Sequence, residues 1–308
     1  MKYLGIDIGG TKIAVVSGDD KGNILEKHRF DTPDTPREAI EKIYEIMDTC
    51  SGFSAVGISC GGPLDSERGI IQSPPNLPGW DDIHITDMIT ERYGVPCHLC
   101  NDANACALAE WRFGAGEGCD NMIFLTFGTG LGAGLILDGR LYNGTNGMAG
   151  EAGHIRLSPF GGVGYGKSGS FESFCSGGGI AQLARMRALE LFQQGKRPAF
   201  CDNLADIDKI TAKDIAAYAD KGDSDALEIF RICGQKLGEG LSILVDILNP
   251  QKIVIGSIFT RCERLLRPHA EAVMKRECLA ASLGVCELLP ARLGESIGDY
   301  AALAVAMM

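Results

Sequence analysis

The chain has 308 residues, of which 45% are hydrophobic and 22% charged, and a formal net charge of −11. This is enough apolar material for one large or two medium folded domains, and with no basic cluster the chain lacks what non-specific nucleic-acid binding needs. No apolar run reaches the roughly 18 residues of a membrane span, and MKYLGIDIGG enters a strand pattern without the basic start and long apolar core of a signal peptide.

The first elements are two apolar strands flanking a glycine turn in YLGIDIGGTKIAVVSGDDKGN, followed by a third strand. Residues 37 to 49 place Ile40, Ile43, Tyr44 and Met47 at helical spacing. AVGISC reads as a buried strand, residues 84 to 93 as a short helix, and VPCHLC as another strand that runs into the alanine-rich helix NDANACALAEWRFG. NMIFLTFGTGLGAGLILDGRLYNG then repeats the strand, glycine turn, strand, polar turn, strand layout of the opening. The ends of the two halves echo as well, since NDANACALA and GDYAALAVA each lead alanines with an aspartate. The chain therefore reads as two related α/β halves. The second is longer, with its surplus between about 150 and 235. The division expected is an N-terminal domain at 1–115, completed by a helix at about 297–308, and a larger domain at 116–296 with a helical insertion.

The twelve cysteines are too scattered, in too long a chain, for a disulfide scaffold. Cys97 and Cys100 form one C-x-x-C, but on a strand they point to opposite faces. Reduced, mostly buried thiols and a cytoplasmic location are expected.

DIGGTK and GTGLGAG are the loudest local features. Gly9 and Gly10 in the first turn, and Gly128, Gly130 and Gly132 in the second, can bring backbone N–H groups against an anion with no Cβ in the way. Thr11 and Thr129 add hydroxyl donors and Lys12 a positive charge. One such turn alone is also an ordinary hairpin; two related turns can hold a polyphosphate. Asp7 can orient Mg²⁺ through water. Neither turn has the G-x-x-x-x-G-K-[ST] spacing of a Walker A motif.

Carrying DIGGTK, GTGLGAG, NDAN and GEAGH, the chain resembles the ROK family of sugar kinases, from Tyr3 to the C-terminal helix. The resemblance implies an actin-like, ribonuclease H-like fold of two α/β domains with an interdomain cleft that takes ATP, Mg²⁺ and a sugar. A homodimer is expected, with no nucleic-acid or membrane partner. ROK repressors carry an extra N-terminal helix-turn-helix, which is not expected here because the sequence opens on the first strand.

Asp102 matches the family's catalytic base. A carboxylate at a strand end can orient an acceptor hydroxyl and take its proton, although Asp or Asn at that place is also an ordinary helix cap. Asn101 can hold a second hydroxyl. Glu151 and His154 of GEAGH, and Glu172, match sugar-binding positions. Each also has a plainer reading: a turn residue, a core histidine and a solvated carboxylate. Asn76 in PNLPGW reaches the sugar or is simply loop. Gly256 matches the family's adenosine-side segment, or ends a core strand. SGGG at 176–179 opens a helix and can also receive an anion or a base.

Many members carry C-x-C-G-x-x-G-C-x-E after GExGH, with the histidine and three cysteines on structural zinc. Here Val163, Tyr165 and Ser170 stand where the cysteines would be, while Gly166, Gly169 and Glu172 remain. His154 with only Cys175 nearby is short of the four N or S ligands zinc takes, so no metal is expected and the loop must rest on packing, with Phe160, Tyr165, Phe171 and Phe174 as candidates.

The function expected is transfer of the γ-phosphate of ATP to a hydroxyl of a glucose-, N-acetylhexosamine- or β-glucoside-class sugar. The alternative is a ROK-fold sugar-binding regulator without turnover. A phosphatase or chaperone-like ATPase would leave NDAN with GEAGH unexplained.

Overall fold

The computed structural model describes all 308 residues. It is a mixed α/β protein whose residues group into two compact units: 1–124, 134–149 and 292–308 in one, 125–133 and 150–291 in the other.

The chain opens with strands β1 (Lys2–Ile8), β2 (Lys12–Asp19) and β3 (Ile24–Asp31). Helix α1 (Pro36–Thr49) begins where Thr35 accepts the Glu38 N–H and Pro36 presets the first turn. It buries Ala39, Ile40, Ile43 and Met47, so the expected apolar face is the one used. Strand β4 (Val56–Cys60), a two-rung hairpin of β5 (Leu64–Asp65) and β6 (Ile70–Ile71), helix α2 (Ile85–Tyr93), strand β7 (Cys97–Asn101) and helix α3 (Asp102–Phe113) follow. The first sheet runs β3-β2-β1-β4-β7, with β1, β4 and β7 parallel.

The second sheet repeats that order. Strands β8 (Met122–Phe127), β9 (Leu131–Leu137) and β10 (Arg140–Leu141) come first. Next are the hairpin β11 (Val163–Gly164) and β12 (Lys167–Ser168), and helices α4 (Phe171–Phe174), α5 (Gly177–Gln193), α6 (Ala212–Asp220) and α7 (Ser224–Leu248). Strand β13 (Lys252–Ile255), helices α8 (Ile258–Glu277) and α9 (Ala280–Leu283), strand β14 (Glu287–Pro290) and helix α10 (Ile297–Val305) finish the chain. The sheet order is β10-β9-β8-β13-β14, the counterpart of the first.

Helix α10 returns to the first sheet, and two glycines admit it. A Cβ on Gly57 of β4 would lie 2.1 Å from the Ala306 nitrogen, and one on Gly5 of β1 would lie 2.7 Å from the Leu303 nitrogen. Ala301 to Val305 are fully buried. The alanine-rich ends of the two halves are thus what close packing of helix on sheet requires.

All twelve cysteines are free thiols, eight of them buried. No helix is long and apolar enough to cross a membrane.

Candidate active site

The first unit gathers its candidates at the carboxyl ends of three parallel strands, where open α/β sheets bind ligands. Ile8 pairs with Cys60 and Cys60 with Asn101, so the ends of β1, β4 and β7 lie side by side. The turn after β1 closes through the Gly9 N–H on the Lys12 carbonyl at 3.1 Å, and the Thr32 hydroxyl donates to the Gly9 carbonyl at 2.6 Å. Gly10, Thr11 and Lys12 are exposed. Asn76 sits directly against this turn: a Cβ on Gly10 would lie 2.4 Å from its carbonyl oxygen.

At the end of β7, Asn101 caps α3 by accepting the Ala103 N–H at 3.0 Å, and Asp102 is the first helical residue. The cap reading of Asp102 is therefore corrected: Asn101 holds that place, because its backbone is still extended. Asp102 Oδ1 accepts the same N–H at 2.8 Å. Water reaches Asp102, yet enough protein surrounds the carboxyl that desolvation pushes its pKa up, against the Ala103 N–H and the Asn101 side chain, which hold it down.

Asp7 is perturbed in the same direction. Its pKa is pushed up to about 6, first by burial, then by Asp299 and Asp102, with Arg29 and Lys27 opposing. Lys27 Nζ pairs with Asp299 Oδ2 at 2.5 Å, and Gly298 gives the Asp7 carboxyl room, since a Cβ there would lie 2.8 Å from Asp7 Oδ2. No local sequence pattern gives Lys27, Arg29 or Asp299 a role. The echo between NDANACALA and GDYAALAVA was the available signal, because it makes Asp299 the counterpart of Asp102.

The second unit holds the other glycine turn. The Gly128 N–H donates to the Gly130 carbonyl at 3.0 Å, and the Gly132 N–H to the Thr126 hydroxyl at 2.9 Å; Thr129 is exposed. Two helix N-termini adjoin the turn. Helix α5, capped by Ser176, donates the Gly177 N–H to the Gly128 carbonyl at 2.8 Å. At the start of α8, Ser257 Oγ lies 3.6 Å from where a Gly128 Cβ would be. Gly256 donates its N–H to the Leu125 carbonyl, and Ser257 after it has φ +56°, a backbone that serine adopts only at a cost. With two helix N-termini beside it, the turn suits an anion.

GEAGH packs under the same turn, where a Cβ on Gly153 would lie 2.0 Å from the Leu131 carbonyl. Glu151 and His154 are exposed, so the core-histidine reading of His154 is set aside. The His154 ring meets Tyr165 edge-on at 6.4 Å, and Lys167 donates to the His154 carbonyl at 2.6 Å. Glu172, partly buried, accepts the Leu131 N–H.

The packing expected of the loop is corrected in half. Phe171 and Phe174 are buried, but Phe160 is 84% and Tyr165 93% exposed. The tip is a hydrogen-bonded hairpin instead, with Gln182 of α5 donating to the Val163 carbonyl and accepting its N–H, both within 2.9 Å. Cys175 is buried against α7, and no group of three or more His, Cys, Asp or Glu side chains is placed to hold a metal ion.

The ROK family model matches residues 3–307. A glucokinase of Streptomyces coelicolor is 32% identical over 301 residues, covering 96% of this chain and 94% of its own. The crystal structure of a ROK family glucokinase from Streptomyces griseus in complex with glucose and AMPPNP is 31% identical, with a TM-score of 0.75 over 100% of this chain and 99% of that one. The DNA-binding transcriptional dual regulator NagC of Escherichia coli K12 is 29% identical over 290 residues, 90% of this chain and 68% of its own length.

Proposed function

The chain belongs to the ROK family, and on that premise we propose that it is a kinase transferring the γ-phosphate of ATP to a hydroxyl of a hexose or hexose derivative. The observation that carries the proposal is Asp102. It stands at the carboxyl end of β7, shares the Ala103 N–H with the cap residue Asn101, and is close enough to Asp7 to raise its pKa. Asp102 would take the acceptor hydroxyl's proton as that oxygen meets phosphorus, and Asn101 and Asn76 would hold neighbouring hydroxyls. Glu151, His154 and Glu172 would accept from or donate to other hydroxyls of the same sugar. The two glycine turns, with Thr11, Lys12 and Thr129, would hold the phosphates, and Gly256 would lie under the adenosine.

Mg²⁺, arriving with ATP, supplies neutralisation of charge on the β- and γ-phosphates. The residues fit it. Asp7 is a half-buried carboxylate with a raised proton affinity beside the first turn, the state in which a carboxylate gains most from a cation. It would act through Mg²⁺-bound water. A homodimer belongs to the same proposal and is checked by light scattering.

The test is a coupled ADP-release assay with Mg²⁺ over glucose, mannose, N-acetylhexosamines and β-glucosides. At least one sugar should stimulate release strongly over water. No stimulation by any of them, with sugar binding intact by calorimetry, would favour the regulator reading that the match to NagC supports.

A further inference from the structure

Glu172 stands where three segments meet. Its Oε2 accepts the Leu131 N–H, at the exit of the second glycine turn, at 2.9 Å. A Cβ on Gly130 would lie 2.7 Å from that same oxygen, one on Gly164 would lie 3.0 Å from Oε1, and one on Gly153 would lie 3.3 Å from the Glu172 Cβ. The turn, the hairpin and GEAGH therefore each bring a glycine against one side chain.

The platform under it is rigid. Ser170 caps α4, and Phe171 is fully buried against Gly240 of α7, where a Cβ would lie 2.4 Å from the ring. Strand β9 begins at Leu131, whose N–H belongs to the peptide it shares with Gly130. The Gly128 N–H holds the carbonyl of that peptide and Glu172 holds its N–H, so the Gly130–Leu131 peptide is held from both sides. A carboxylate near phosphates is electrostatically unfavourable. Its presence makes sense for what it shapes rather than for its charge.

We propose that Glu172 is a positioning residue for the nucleotide: it locks the 128–132 turn in its phosphate-accepting shape while its other oxygen faces the sugar-binding loop. The inference rests on the kinase reading and deepens it. One side chain couples the sugar loop to the phosphate turn, in the loop where other family members have a zinc staple. A purely sugar-binding Glu172 has no effect on nucleotide in the absence of sugar; a positioning Glu172 does.

The experiment is calorimetric titration of AMPPNP with Mg²⁺, without sugar, into wild type, Glu172→Ala and Glu172→Gln. The alanine variant should bind about tenfold more weakly, the usual size for loss of a hydrogen bond to a charged group. The glutamine variant should stay close to wild type, because its amide oxygen can still accept from Leu131. An alanine variant that binds as wild type does overturns the proposal and leaves the kinase reading standing. No nucleotide binding by wild type overturns both. Should Glu172→Ala fail to fold, hydrogen exchange on unliganded wild type decides: slow exchange of the Leu131 amide supports the lock, and exchange at the rate of an exposed loop removes it.

Discussion

Asn101 and Asp102 compete for a single donor, the Ala103 N–H, at 3.0 and 2.8 Å. Because Asn101 can satisfy the helix start alone, Asp102 can give up that bond when a substrate hydroxyl arrives. The helix thus supplies a carboxylate with an exchangeable partner at a fixed address. Asn101→Ala should remove the cap at a modest cost, about 1 kcal/mol or less by denaturant melt, because Asp102 still accepts. The same variant should raise the sugar KM, since an amide donor is lost and Asp102 is drawn into capping. A stability loss with unchanged KM would show Asn101 to be a cap only.

The acid limb of the pH–rate profile should report Asp102. Desolvation raises its folded pKa, and a base works only when deprotonated. Activity should therefore fall as pH drops through that raised value, above the pH at which a carboxylate with the ordinary pKa of about 3.9 would titrate. A kcat/KM that stays flat down to the ordinary carboxylate range would contradict the assignment.

Asp7→Asn should separate stability from function. With a folded pKa of about 6 against an ordinary value of 3.8, Asp7 binds its proton more tightly folded than unfolded. It therefore destabilises the apoprotein fully above about pH 6, and the penalty fades as pH falls towards 4. Removing the charge should stabilise by roughly 1–3 kcal/mol at pH 7.5 and by less at pH 5, while Mg²⁺-dependent turnover drops at least about 10-fold. Equal melting points of the two proteins at pH 7.5 would show that Asp7 is not strained.

Glu110 is fully buried in α3 and accepts three backbone N–H groups, from Ala115 at 2.8 Å, Leu293 at 2.9 Å and Arg292 at 3.1 Å. Glu110→Ala would take this acceptor from all three. Urea denaturation should show a loss of at least about 3 kcal/mol, with Glu110→Gln in between. A loss under about 1 kcal/mol would mean that water replaces the carboxylate.

Much of the first unit was legible in the sequence because its signals are local. The DIGGTK turn, the α1 periodicity and the aspartate before the alanine helix each sit within a few residues of what they determine. The Asn101 cap was missed because adjacent Asn and Asp are equally good caps, and only backbone geometry chooses between them. The Lys27–Asp299 pair joins residues 272 apart, which no local pattern reveals. In the 153–179 loop the missing cysteines were readable, but not what replaces them. Aromatic residues suggested packing, whereas Phe160 and Tyr165 point to solvent and the hairpin is held by Gln182, a residue on a helix that no turn motif announces.

The loop's metal content is a direct check on that reading. Elemental analysis of the purified protein should find no stoichiometric zinc, and a chelator should leave the melting temperature unchanged. One tightly held zinc per chain would mean that the loop reorganises around ligands other than those now in place.

Sugar-dependent ADP release by Asp102→Asn decides whether Asp102 is the base of a sugar kinase. The kcat with the best sugar should fall by at least about 10²-fold, with the fold and AMPPNP affinity retained. Turnover near the wild-type rate by a folded Asp102→Asn protein would contradict that assignment.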